Sequence, residues 1–110
     1  MNATLSSHVL DTARGVPAAG VAVTLFRIDG AQRAVAGVAT TDADGRTGAQ
    51  LGSGLAPGTY EVVFHVAAYF GATPAFYDEI TVRIVLDGSR ERYHVPLLLA
   101  PYGYSTYRGS

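Results

Sequence analysis

Apolar and polar residues alternate one by one through this chain, in short runs that glycine or proline cuts off. Thr59 to Val66 is the plainest run: Tyr60, Val62, Phe64 and Val66 alternate with Thr59, Glu61, Val63 and His65. A period of two sends neighbouring side chains to opposite faces of a strand, whereas a helix needs a period near 3.6. The pattern recurs in Val21–Ile28, where Val21, Val23 and Leu25 oppose Ala22, Thr24, Phe26 and Ile28. It recurs again in Arg33–Thr41 and in Glu79–Leu86, whose Ile80, Val82, Ile84 and Leu86 share a face. The breaks carry turn chemistry. Asp29-Gly30 suits a hairpin, and Asp42-Ala43-Asp44-Gly45 suits a tight turn in which Gly45 takes a positive φ. The alternation stops at Val66-Ala67-Ala68-Tyr69-Phe70, which reads as one or two helical turns. The expectation is all-β: a two-sheet sandwich of about eight strands with one short helix, a single domain over residues 1–110.

Composition narrows what such a sandwich does. Hydrophobic residues are 48% of 110 residues, enough for a core, but a domain this small gains from burial against partner subunits. A net charge of −1, with both signs interspersed, argues against nucleic acid and anionic membranes as partners. No cysteine is present, so no disulfide, thiolate metal site or cysteine nucleophile enters. No apolar run is long enough for a membrane helix. The first residues, Met1 to His8, lack a basic segment followed by an apolar one. The reading is a cytoplasmic protein, although a periplasmic chain already stripped of its leader would look the same.

The last strand breaks the one-sided pattern. Tyr93, Val95, Leu97 and Leu99 form one face, and His94, Pro96, Leu98 and Ala100 form the other. A sandwich strand buries one face against the opposite sheet. A second apolar face implies a second cover, and another subunit is the expected one. The first strand, Ser6–Leu10, has a matching outer face of Ser6, His8 and Leu10. Histidine is the residue whose unperturbed charge changes near neutral pH. On pattern alone, a strand histidine is more often a surface or satisfied interior residue than a base. His65 fits that bland reading, because it shares a polar face with Glu61. His94 does not, because an unpaired polar group on an apolar face is costly. Arg46 after the Asp-Gly turn, and Arg108 in the tail, would by themselves be surface charges.

Three stretches change that weighting. They are Leu5-Ser6-Ser7-His8-Val9-Leu10-Asp11-Thr12-Ala13-Arg14-Gly15, Asp42-Ala43-Asp44-Gly45-Arg46-Thr47 and the C-terminal Tyr107-Arg108-Gly109-Ser110. Together they resemble the signatures of the 5-hydroxyisourate hydrolases, the transthyretin-related enzymes of urate breakdown. The resemblance spans nearly the whole chain and implies a transthyretin-like sandwich assembled as a homotetramer, with active sites where subunits meet. It implies hydrolysis of 5-hydroxyisourate to 2-oxo-4-hydroxy-4-carboxy-5-ureidoimidazoline. It implies His8, Arg46 and His94 as catalytic residues and Tyr107, Arg108, Gly109 and Ser110 as substrate-binding ones. These residue types suit the reaction: a neutral imidazole can deprotonate water, and a guanidinium can hold a developing oxyanion or orient a planar ring. No cofactor and no metal are expected. The histidines lack zinc-site spacing, and Asp42-x-Asp44-Gly45 lacks the other ligands of a calcium loop. Two other readings account for the same fold. One is a non-catalytic transthyretin-like protein that binds a small ligand. The other is a structural sandwich module, which the segment Gly20–Val63 also resembles.

Overall fold

The structure is a computed structural model that describes residues 2–110. Among these residues nine strands, one short α-helix and a single 3-10 turn (Gly48–Gln50) are formed: β1 (Ala3–Asp11), β2 (Val16–Pro17), β3 (Ala22–Asp29), β4 (Gln32–Thr40), β5 (Gly52–Leu55), β6 (Gly58–His65), α1 (Val66–Phe70), β7 (Glu79–Leu86), β8 (Arg92–Ala100) and β9 (Gly103–Thr106). They make two sheets. One runs β2-β1-β8-β9, with β5 also on β1; the other runs β4-β3-β6-β7. The ninth strand is β2, in a stretch that reads as loop; its two residues pair with Leu10 and Asp11.

The alternation in the sequence becomes the alternation of burial. Val21, Val23 and Leu25 are buried from one sheet, as are Tyr60, Val62 and Phe64 beside them. Leu5, Val9, Leu97 and Leu99 meet them from the other sheet, all at 0% exposure. Each such aliphatic side chain contributes about 1.5–3 kcal/mol when taken fully out of water. The chain leaves β6 through α1, whose Val66 and Phe70 are buried at its two ends. Tyr69 of α1 donates a hydrogen bond of 2.6 Å to Oδ2 of Asp11, which is itself buried. That bond anchors the helix to the end of β1, and the aspartate is further held by the Arg14 N–H at 3.0 Å. Burial and the neighbouring Asp11 carboxylate push the Tyr69 phenol above its ordinary value.

Strands β1 and β8 lie side by side and parallel, from Thr4↔Arg92 to Asp11↔Leu99. Hence Ser6, His8 and Leu10 share one face with His94, Pro96 and Leu98, and that face points away from the core. Strand β9 folds back antiparallel along the other edge of β8, with Leu98 opposite Ser105. That sheet carries His8 and His94, while Arg46 lies in a turn and Tyr107–Ser110 follow β9.

Candidate active site

Arg46 reaches the same sheet through a turn. The Asp42 carboxylate accepts N–H groups from Asp44 at 2.9 Å and Arg46 at 3.0 Å, and the Gly45 N–H bonds back to the Asp42 carbonyl. The Arg46 N–H is the main reason the Asp42 carboxyl titrates below its ordinary value. Gly45 has φ +77°, and a methyl group there would collide with the Val9 carbonyl. Only glycine combines that backbone with so close an approach. The turn then docks on the free edge of β1. Val9 N–H donates to Gly45 O at 2.8 Å, and Thr47 N–H to Ser7 O at 3.1 Å. The buried Thr47 hydroxyl accepts from Ser7 N–H at 2.9 Å. Between these contacts His8 and Arg46 form an antiparallel bridge. Bridged residues put their side chains on the same face of the sheet, so Arg46 joins His8 on the outer face.

His94 completes the group from β8. Its Nδ1 lies 2.8 Å from the Ser6 hydroxyl, the residue directly across the β1–β8 pairing. The tail covers it: Gly109 N–H donates to the His94 carbonyl at 2.7 Å. A Cβ on Gly109 would lie 2.7 Å from His94 Cδ2, so only a hydrogen fits between backbone and imidazole. His94 is pushed below the ordinary imidazole value, first by burial, then by the Arg46 guanidinium and by His8. The Ser6 main chain acts the other way, favouring the charged ring. The net result is an imidazole kept neutral near pH 7, the state a general base needs.

The structure therefore brings His8, Arg46, His94 and Gly109 together. It treats the rest of the tail differently. Tyr107 and Arg108 are exposed and line a groove of about 360 Å³ at the open edge of the sandwich, with Val82, Ile84 and Tyr93. Ser110 follows Gly109 and is exposed. His65 stands apart on the other sheet, between Thr24 and Glu79. Among the described residues no group of three or more His, Cys, Asp or Glu could hold a metal ion. Two residues at the site escape sequence reasoning: Ser6, which holds His94, and Thr47, which ties the turn to β1. Period-two alternation does put Ser6 on the face of His8, but not opposite His94.

The chain has relatives among known proteins. The profile of the HIUase/Transthyretin family matches residues 5–109. A protein from Deinococcus radiodurans named 5-hydroxyisourate hydrolase is 52% identical, over 96% of this chain and 95% of its own length. The solved structure of Klebsiella pneumoniae 5-hydroxyisourate hydrolase superposes with a TM-score of 0.82 at 34% identity, covering 98% of this chain and 94% of that one. Sea bream transthyretin, solved with thyroxine, gives a TM-score of 0.89 over 96% of this chain and 94% of its own. At 24% identity that last likeness speaks for the fold alone.

Proposed function

The chain belongs to the HIUase/Transthyretin family, and from that premise we infer that it is a 5-hydroxyisourate hydrolase acting in purine degradation. The observation that carries this reading is the convergence of His8, Arg46 and His94 on one sheet face, with Gly109 against the imidazole. A carrier protein has no use for a neutral base held beside a guanidinium. The reaction needs both.

In this proposal His94 takes a proton from water as the oxygen attacks a ring carbonyl of the substrate. Arg46 polarises that carbonyl and holds the oxyanion as charge develops. The carbon–nitrogen bond of the six-membered ring then breaks, and the imidazolium returns its proton to the departing nitrogen. His8, bridged to Arg46, orients the substrate. The tail from Tyr107 to Ser110 supplies substrate contacts. Gly109 already lies against His94, and the exposed Tyr107, Arg108 and Ser110 reach substrate through a neighbouring copy or on binding.

The homotetramer, with active sites at subunit contacts, belongs to the same proposal. Its support is the open character of the site: the three groups sit on an outer sheet face rather than in an enclosed cavity. Apolar Leu10, Pro96 and Leu98 surround them. A second copy of this face would roof the site and exclude water from it. A cytoplasmic location completes the reading; no described helix is long and apolar enough to cross a membrane. Cell fractionation tests the location, and light scattering tests the assembly.

The deciding experiment follows the ultraviolet decay of freshly made 5-hydroxyisourate. The protein should accelerate it well beyond the spontaneous rate. A small-ligand carrier would leave that rate unchanged, and so would a structural module.

A further inference from the structure

His94 is held on three sides. Its carbonyl is taken by Gly109 N–H, its Cδ2 edge lies under the Gly109 backbone, and its Nδ1 faces the Ser6 hydroxyl at 2.8 Å. Only Nε2 is left to meet water or a substrate. A neutral imidazole carries one proton, and the nitrogen acting as base must be the one without it. A serine hydroxyl can donate or accept. If it donated to Nδ1, the proton would sit on Nε2 and the ring would be the wrong tautomer for a base. If it accepts, Nδ1 carries the proton and the Nε2 lone pair faces outward.

Resting on the hydrolase reading above, we infer that Ser6 is the positioning residue of the site: its hydroxyl accepts the His94 Nδ1–H and so reserves Nε2 for the proton taken from water. The role resembles that of any third group that orients a base. It also steadies the imidazolium, because Nδ1–H remains hydrogen-bonded after Nε2 is protonated. The competing holder is the Ser6 main chain, which also favours the charged ring. Substitution of the side chain separates the two. Ser6 is only partly buried and touches the core face nowhere, so its loss should spare the fold.

The test combines nitrogen-15 spectra of the labelled histidines with kinetics of Ser6→Ala and Ser6→Thr. In the wild-type protein His94 should carry its proton on Nδ1. In Ser6→Ala the Nε2–H tautomer should become populated, and kcat should fall about tenfold or more, with KM held within about twofold. The acid limb of the pH–rate profile should move to lower pH as the plateau drops, because the imidazolium has lost an acceptor. Ser6→Thr keeps a hydroxyl and should recover most of kcat. A wild-type His94 protonated on Nε2 overturns the inference, as does a Ser6→Ala enzyme of unchanged kcat, which would hand the role to the main chain. A threonine variant as slow as the alanine one overturns it too. The tautomer is read without substrate, so this result stands apart from whether 5-hydroxyisourate is turned over. Should Ser6→Ala fail to fold, Ser6→Cys, whose thiol is a poor acceptor, takes its place in the same comparison.

Discussion

His65 and His94 sit on the outer faces of opposite sheets, and their surroundings explain why only one is a candidate base. His65 is occupied at both nitrogens: Nε2 meets the Thr24 hydroxyl at 2.9 Å, and Nδ1 meets the Glu79 carboxylate at 3.1 Å. It lies among charges, near the Arg83–Glu61 pair of the same two strands. Among the described residues, His94 has one nitrogen held and one open, no carboxylate partner, and a guanidinium near enough to disfavour its charged form. Two strand imidazoles of one protein thus differ in the number of free lone pairs and in the sign of the nearest charge. Those two properties, more than exposure, separate a structural histidine from a candidate base.

The sharpest attack on this contrast replaces His94 by Ala. If His94 is the base, kcat should fall by about 100-fold or more, while the thermal midpoint stays near that of the wild type. Near-normal turnover would leave His8 as the base. Arg46→Gln probes the charge. It should cost about 100-fold in kcat/KM, the scale of a lost oxyanion donor. It should also raise the pKa of His94, because one of the influences depressing it is gone. The acid limb of the pH–rate profile would then move to higher pH; an unmoved limb would mean that the guanidinium does not act on the base. Gly109→Ala tests the close approach. The new methyl must displace the imidazole or the tail, and about a tenfold loss of kcat is expected, since small misplacements are costly. Stability should hardly change, because Gly109 lies beyond β9, outside both sheets. The smallest effect should come from His65→Ala. Activity should match the wild type, and denaturant melts should register about 1 kcal/mol or less, the usual worth of an exposed ion pair. A large loss of turnover there would erase the distinction between the two imidazoles.

How far the sequence revealed this depends on which interactions decide each feature. Strand β7 is read at its observed bounds, Glu79–Leu86, and α1 falls where alternation fails, because local period governs both. Strand β2 is missed because two residues, Val16 and Pro17, carry no period; only their pairing with Leu10 and Asp11 makes them a strand. At the site, His94 stands out as a histidine on an otherwise apolar strand face, whereas His8, beside Ser6, gains weight only through family resemblance. Arg46 and the tail stand out only through family resemblance, since a turn arginine and a chain end look alike in any protein. Ser6 could not be found, because its partner is 88 positions away and a one-residue slip of β1 against β8 would turn it to the core. Tyr107 and Arg108 teach the same lesson from the other side: neighbours of Gly109 in sequence, they line a different groove.

The parallel pairing of β1 with β8 joins strands about 88 positions apart in sequence, Thr4 lying beside Arg92. During synthesis β1 therefore emerges with its principal neighbour not yet made, and it must wait, apolar face exposed, until β8 follows it. Closing so long a loop is entropically slow, so this protein acquires its competence late and all at once. An incomplete translation product lacking β8 and the tail has no partial activity to offer, only an unpaired strand for chaperones to shield.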